Sequence, residues 1–160
     1  MTINVGDSIP SIGLATMTVE GPESVSTNDL FKGKKVAIFG LPGAFTPTCS
    51  AKHLPGFVHH ADAIKAKGID TIACVSVNDV FVMGAWAKDQ NVGDKVMMLA
   101  DGSGKFAKAT GLELDRIEAG MGMRCERFSM IVDNGVVQSI HIDDSTFDKT
   151  SAEQMLSELG

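Results

Sequence analysis

Two segments rich in apolar residues lie at 36–39, before Gly40, and at 69–77, after Gly68. Runs of this length and composition are typical of strands buried on both faces of a sheet. Between them, apolar residues recur at helical spacing, at Leu54, Phe57, Val58, Ala61 and Ile64. Gly68 ends that pattern. Strand, helix and strand in this order predict a βαβ unit with parallel strands.

The next segments predict a second helix and a third strand. The pair Asn78-Asp79 can cap a helix that extends to about Asn91. Its apolar stripe is predicted to contain Phe81, Val82, Ala85 and Trp86. A strand at 96–100 and a short helix at about 105–109, which Gly111 ends, complete this region.

The C-terminal part predicts a hairpin and a final helix. Strands at 127–132 and 136–142 flank Asp133-Asn134-Gly135, a turn sequence in which Asn and Gly tolerate positive φ. Thr150-Ser151-Ala152-Glu153 has the pattern of a capping box. The first 33 residues predict a short hairpin and a helical turn at 27–31.

This order of elements predicts an α/β fold with a mixed central sheet and helices on both faces. The thioredoxin fold with an inserted helix and strand has this arrangement. A chain of 160 residues with 44% apolar residues suits one domain, over residues 1–160, with one core.

The net charge and the hydropathy pattern argue against nucleic-acid-binding, membrane and secreted proteins. The net charge is −6 and the lysines are scattered, so no basic stripe is available for nucleic acid or an anionic membrane. The apolar runs are too short to span a bilayer, and the N-terminus lacks the pattern of a secretory signal. A cytoplasmic location is therefore expected.

The three cysteines, Cys49, Cys74 and Cys125, form no Cys-x-x-Cys pair. Their spacing predicts neither a structural zinc site nor a disulfide framework. Cys49 is distinguished by its position, because a helix is expected to begin there, just after Pro47. Unpaired backbone N–H groups and the helix dipole stabilise a thiolate at such a position. A buried cysteine in an ordinary strand-to-helix turn is the alternative.

The stretch "PGAFTPTCS" contains the pattern Pro42-x-x-x-Thr46-x-x-Cys49 and resembles the active-site motif of the peroxiredoxins. Its full form resembles their subfamily five, or type II. The segments "HLPGF", "SVNDVFVMGAW" and "RFSMIVDNGVV" resemble the same subfamily in the same order. The resemblance implies that Cys49 is the peroxidatic cysteine, that the Thr46 hydroxyl contacts the peroxide and that Arg127 completes the pocket. Pro42 is expected to stiffen the turn and to shield the sulfur from water.

The implied reaction is the reduction of hydrogen peroxide and small alkyl hydroperoxides. The thiolate attacks one peroxide oxygen and becomes a sulfenic acid, while the other oxygen leaves with developing negative charge. A thiolate that forms more easily is also a weaker nucleophile, so a rapid reaction needs donors that hold both oxygens. Thr46, Arg127 and the backbone near Cys49 are the expected donors. No metal, flavin or haem is implied.

Neighbouring residues have alternative interpretations. Arg124 could serve the site, although motif position favours Arg127. His53 could form a hydrogen bond near the pocket, but a partly exposed helix histidine is the preferred interpretation. The histidines at 59–60 point to different sides of a helix and predict no metal site. Cys125 is interpreted as a packing or adventitious thiol.

The means of recycling depends on Cys74. Many members of the subfamily have a resolving cysteine near the C-terminus, and the segment 143–160 has none. Cys74 lies in an apolar strand and is interpreted as a core thiol, with a resolving cysteine as the alternative. Because a small thiol should reach an exposed helix start, glutathione with glutaredoxin is the expected reductant; thioredoxin acting through Cys74 is the alternative.

Two other functional classes are compatible with these residues. The first is a peroxide-responsive redox sensor or binding module that uses Cys49 as a switch. The second is a cysteine hydrolase that pairs Cys49 with His53, although no oxyanion motif or orienting carboxylate is identifiable. The resemblance also implies a homodimer packed through loops near the active site.

Overall fold

A computed structural model describes residues 1–144 and 146–160. The strands are β1 (Gly13–Thr18), β2 (Gly21–Ser26), β3 (Lys35–Leu41), β4 (Thr71–Ser76), β5 (Met97–Ala100), β6 (Glu113–Arg116), β7 (Gly122–Cys125), β8 (Arg127–Asp133) and β9 (Val136–Asp143). Within the described residues, seven strands form one sheet in the order β2-β1-β5-β4-β3-β8-β9. Strands β3, β4 and β5 run parallel, and their other neighbours are antiparallel. The predicted mixed sheet is confirmed.

The helices pack around this sheet. They are α1 (Thr27–Phe31), α2 (Leu54–His59), α3 (Ala61–Ala66), α4 (Val80–Asp89), α5 (Lys105–Thr110) and α6 (Ala152–Leu159), with a π-helical turn at Cys49–His53 and a 3₁₀ turn at Ile117–Ala119. None of the helices in the described ranges is both long and apolar enough to cross a membrane. Sheet and helices together form the predicted thioredoxin-like fold.

Apolar side chains on the two faces of the sheet form two cores. One core contains alternate residues of β3 and β4 with the buried side chains of α2, α3, α4 and α6; its strand residues include Ala37, Phe39, Leu41, Ile72 and Cys74. The other contains intervening strand residues with α1 and α5; its strand residues include Val36, Ile38, Ala73 and Val75. The uninterrupted apolar runs of these strands therefore reflect burial on both sides.

Strand β3 approaches β8 tightly at Gly40, near the end of β3 that leads to Cys49. A Cβ atom at Gly40 would lie 2.1 Å from Cε1 of Phe128. The ring therefore occupies the space that any larger residue would need. Because Phe128 follows Arg127, this contact fixes β8 next to the site.

Several local predictions are confirmed. The N-terminal hairpin is β1 paired with β2, and the helical turn at 27–31 is α1. Asn134 and Gly135 have φ values of 49° and 82°, as the predicted turn between β8 and β9 requires. Asp79 caps α4 by accepting a hydrogen bond from the backbone N–H of Val82.

Other local predictions were wrong. Helix α4 buries Met83 and Trp86, whereas Phe81 is 66% exposed, so the buried stripe is rotated from the predicted one. The helix after Pro47 is not regular, because a π-helical turn follows its first two residues and because it is interrupted at His60, between α2 and α3.

The last helix does not begin with the predicted capping box. Ser151 caps α6 by accepting a hydrogen bond from the backbone N–H of Gln154, and the Thr150 hydroxyl is directed instead to Asp143. The antiparallel hairpin of β6 and β7 was not predicted. Its residues are mostly exposed or half-buried, so they show no clear alternation of apolar and polar positions.

Candidate active site

Cys49 lies beyond the carboxyl end of β3, in the first turn of the following helix. Residues 47 and 48 are helical, and the Thr46 carbonyl accepts a hydrogen bond from the Ser50 N–H at 3.0 Å. Pro47 therefore occupies the first helical position, where its missing N–H costs no hydrogen bond. A π-helical turn begins at Cys49, and such turns occur frequently at functional sites.

Arg127 is the residue that contacts the sulfur. Its Nη2 donates to Sγ of Cys49 at 3.1 Å, and its Nη1 donates to Nδ1 of His53 at 2.8 Å. Arg127 is 8% exposed and Cys49 is completely buried. Because the pair lies away from solvent, a negative charge on the sulfur interacts with the guanidinium more strongly than it would in water.

His53 is completely buried, so the interpretation as a partly exposed histidine was wrong. Its ring centroid lies 4.9 Å from that of Phe39 and 5.1 Å from that of Phe147. Its Nε2 is 3.0 Å from the Thr150 carbonyl oxygen, which can only accept. Nε2 therefore carries the proton, and Nδ1 accepts from Arg127.

The imidazole of His53 is neutral at neutral pH. Burial, followed by the positive charge of Arg127, lowers the pKa of His53 to about 3. A neutral ring can orient the guanidinium without cancelling its charge.

Thr46 and Pro42 lie in the turn between β3 and the helix. The Thr46 hydroxyl donates to the Gly43 carbonyl at 2.7 Å rather than to the sulfur. A hydroxyl that donates in this way can still accept a hydrogen bond. Pro42 is half-buried and lines, with Thr48 and Arg127, a cavity of about 360 Å³.

Arg124 supports the turn and does not contact the sulfur. Its Nε donates to the Met121 carbonyl at 2.9 Å, and its Nη1 donates to the Pro42 carbonyl at 3.3 Å. The structure thus brings Arg127, and not Arg124, to Cys49.

The three cysteines are free thiols, and all are buried. Cys74 belongs to the same core as Cys49, and burial raises the pKa of Cys74 well above its usual value. Cys125 ends β7 and belongs to the opposite core, so it does not share a face with Arg127. Burial also raises the pKa of Cys125. Burial is the largest cause of both shifts, and both of these thiols are protonated at neutral pH.

The prediction of an exposed helix start was wrong for the sulfur itself, because Cys49 is completely buried. The neighbouring Ser50 is held in place, since its Oγ accepts a hydrogen bond from Nε1 of the buried Trp86 at 3.0 Å. A second thiol can reach Cys49 only after the turn that carries Cys49, or the side chains that cover it, have moved.

Phe147 was not among the predicted site residues, although its ring packs against Arg127 and His53. Its ring centroid lies 5.8 Å from Cζ of Arg127, within the range of a cation–π interaction. No pattern in the loop predicts this contact. His53 had a usable signal, because it lies four residues after Cys49 and such residues share a helix face.

In the described part of the chain, no group of three or more His, Cys, Asp or Glu side chains could hold a metal ion. The site consists of a buried thiol, a guanidinium and a neutral imidazole at the edge of a thioredoxin-like sheet. These features define the class of thioredoxin-like oxidoreductases whose chemistry uses a thiol.

Comparisons with known proteins specify the class further. The sequence profile of the Redoxin family matches residues 4–156. The chain is 45% identical over 163 residues to chloroplastic peroxiredoxin-2E of Arabidopsis thaliana, covering 99% of this chain and 70% of the relative. It is 47% identical over 159 residues to peroxiredoxin-2C of Oryza sativa subsp. japonica, covering 98% of each.

Solved structures agree with this result. The reduced Prx3 of Vibrio vulnificus in complex with hydrogen peroxide superposes with a TM-score of 0.95 at 47% identity, covering 99% of this chain and 100% of that one. Peroxiredoxin 5 of Alvinella pompejana superposes with a TM-score of 0.86 at 34% identity, covering 98% and 97%. The chain belongs to the peroxiredoxin family. It is an oxidoreductase, a thiol peroxidase.

The buried, neutral His53 predicts a specific dependence of stability on pH. Its pKa is lower in the folded chain than in the unfolded chain, so between about pH 6.5 and pH 3 the unfolded chain binds an extra proton. We expect this residue to lower the free energy of unfolding by about 2 kcal/mol between pH 7 and pH 5. In urea unfolding, the free energy of unfolding of His53→Asn should fall by about 2 kcal/mol less between pH 7 and pH 5 than that of the wild type.

The exposed His59 provides the matched control. His59→Asn should keep the pH dependence of the wild type. If His53→Asn and the wild type lose the same stability between pH 7 and pH 5, His53 is not buried as a neutral ring.

Proposed function

We propose that Cys49 is the peroxidatic cysteine of an enzyme that reduces hydrogen peroxide and small alkyl hydroperoxides. Thr46, Arg127 and Pro42 are proposed to complete its catalytic site. The observation that supports this most strongly is the 3.1 Å contact between the Arg127 guanidinium and the buried Cys49 sulfur. The other two cysteines have no such partner among the described residues.

The reaction follows from this arrangement. The Cys49 thiolate attacks one peroxide oxygen, the O–O bond breaks, and the sulfur becomes a sulfenic acid. The second oxygen leaves as hydroxide or alkoxide and takes a proton to become water or alcohol. Arg127 stabilises the charge that develops on the oxygens, and Thr46 accepts a hydrogen bond from the peroxide while its own proton bonds to Gly43. Pro42 restricts access of water.

We further propose that glutathione, with glutaredoxin, reduces the oxidised enzyme. The glutathione thiol attacks the sulfenic acid and releases water, and a second thiol then cleaves the mixed disulfide on Cys49. Cys74 is unsuited to an internal reaction because it is paired with Phe39 on β3 and with Met98 on β5. Moving Cys74 outward would break both pairings and open the core.

The cavity beside Arg127 supports this choice of reductant. Besides Arg127 and Asp143, its lining contains one cation, Arg116, and two carboxylates, Glu126 and Asp144. Arg116 can pair with a carboxylate of glutathione, and Glu126 or Asp144 can pair with its ammonium group. Because Cys49 is completely buried, the turn that carries it or the side chains that cover it must move before the two sulfurs meet.

The subfamily, the cellular location and the oligomeric state are further proposals. We assign the chain to subfamily five, or type II, on its motif and on its likeness to the Alvinella protein, and we keep the cytoplasmic location as a prediction. The exposed rings of Phe45, in the turn before Cys49, and of Phe81, in the first turn of α4, support a homodimer that covers them. Thioredoxin acting through Cys74 is the alternative reductant, and a redox sensor that uses Cys49 stoichiometrically is the alternative function.

Arg127→Ala should slow the oxidation of Cys49 by hydrogen peroxide by about 100-fold or more, because one charged donor to the developing oxyanion is lost. Arg124→Ala is the matched variant, since its guanidinium contacts backbone carbonyls of the turn and not the sulfur. We expect it to slow oxidation much less. Single-turnover kinetics measure both, and a larger effect of Arg124→Ala would refute the assignment of Arg127.

Cys74→Ser should change peroxide turnover with glutathione and glutaredoxin by less than about threefold, a barrier change below roughly 1 kcal/mol. Cys49→Ser should abolish the turnover, and Cys125→Ser should retain it. A coupled NADPH assay compares the variants, and mass spectrometry should locate glutathione on Cys49. Collapse of turnover in Cys74→Ser, with a Cys49–Cys74 disulfide in the wild type, would instead establish internal resolution.

A further inference from the structure

Arg127 depends on His53 for its orientation. One guanidinium nitrogen donates to Cys49 and another to Nδ1 of His53. Within the described residues, Arg127 forms no ion pair with a carboxylate. The guanidinium is thus held by an uncharged imidazole, which does not neutralise its positive charge next to the sulfur.

The proton on the His53 ring decides whether this contact exists. A neutral imidazole has one donor and one acceptor nitrogen. The Thr150 carbonyl can only accept, so it places the proton on Nε2 and leaves Nδ1 as the acceptor for Arg127. In the other tautomer, Nδ1–H would face an N–H of Arg127, and the contact would be lost.

Thr150 is itself held, through its N–H and hydroxyl groups, by Asp143, which lies at the end of β9 and opposite Arg127 in the strand register. The Asp143 carboxylate accepts from the Thr150 hydroxyl at 2.7 Å and from the Thr150 N–H at 3.0 Å. It also accepts from the N–H groups of Asp148 and Lys149 at 3.0 and 3.1 Å. Asp143 is 2% exposed and Thr150 is completely buried.

The bonds to Asp143 fix the loop that carries Thr150. Ser151 caps α6, so the Thr150 hydroxyl is not needed to begin that helix. Burial would raise the pKa of Asp143, but the hydrogen bonds from Asp148, Thr150 and Lys149 lower it below its ordinary value. The carboxylate is therefore ionised at neutral pH and holds the loop firmly.

We propose that Asp143 and Thr150 are positioning residues that fix the tautomer of His53 and thereby aim Arg127 at Cys49. They act only through His53 and touch no reacting atom. This inference rests on the proposed function insofar as Arg127 serves the oxidation of Cys49.

A double-mutant cycle tests the proposal, with rapid-quench mass spectrometry following oxidation of Cys49 by hydrogen peroxide. Thr150→Val should slow oxidation roughly tenfold in the wild-type background, because a small misplacement of the guanidinium is costly. In the Arg127→Ala background it should change the rate by less than about twofold, since it acts through Arg127. An equal loss in both backgrounds would overturn the proposal.

Two comparisons separate positioning from a general loss of packing. Thr150→Ser keeps the hydroxyl and should restore the rate to within about twofold of the wild type. Thr110→Val is the matched control, because Thr110 is buried and its hydroxyl donates to the Phe106 carbonyl at 2.7 Å in α5. It should leave the oxidation rate unchanged. If Thr150→Ser is as slow as Thr150→Val, the hydroxyl has no positioning role.

A spectroscopic measurement decides the proposal without reference to peroxidase activity. Long-range ¹H–¹⁵N spectra of the wild type at pH 7 should show His53 in the Nε2–H tautomer alone. Thr150→Val should show a mixture of tautomers, and Asp143→Asn provides the same comparison if the valine variant does not fold. A single, unchanged tautomer in the variant overturns the inference, whereas an unaltered oxidation rate in Arg127→Ala overturns only the proposed function.

Discussion

The contact between the Arg127 guanidinium and the Cys49 sulfur is the interaction on which the proposed chemistry of this protein depends. Burial is the largest cause of the raised pKa values of Cys74 and Cys125, and a thiol that stays protonated is a poor nucleophile. Cys49 is buried equally deeply but has a cation at 3.1 Å. The protein therefore combines a dry site with a compensating charge, and a dry site strengthens every donor that acts on a developing oxyanion.

This contact requires separate parts of the fold to meet at one edge of the sheet. Cys49 comes from the helix after β3, and Arg127 begins β8, which pairs with β3 and packs Phe128 against Gly40. The loop after β9 supplies the carbonyl that orients His53. The choice of a neutral imidazole is physically important, because a carboxylate in its place would neutralise part of the charge that the guanidinium directs to the sulfur.

The sequence predicted the sheet, most helices and the position of Cys49, because apolar periodicity and turn residues are local signals. It could not predict the burial of His53 or the cover provided by Phe147, since both depend on how the loop after β9 packs. The irregular helix after Pro47 was also missed, because the apolar spacing continues through His60 although the backbone there leaves the helical conformation, with φ −96° and ψ 9°. Motif position singled out Arg127 over Arg124, but only the strand pairing shows why one reaches the sulfur.

We propose that Arg127 accelerates the transfer of a peroxide oxygen to Cys49 and does not merely make the thiol more reactive toward every reagent. The most direct test compares two reactions of Cys49 in the wild type and in Arg127→Lys, namely oxidation by hydrogen peroxide and alkylation by iodoacetamide, which has no peroxide oxygens to hold. We expect the ratio of the oxidation rate to the alkylation rate to fall by about tenfold or more in the variant, because a lysine cannot hold the sulfur, the imidazole and the peroxide together. An unchanged ratio, with both rates lowered in proportion, would contradict it.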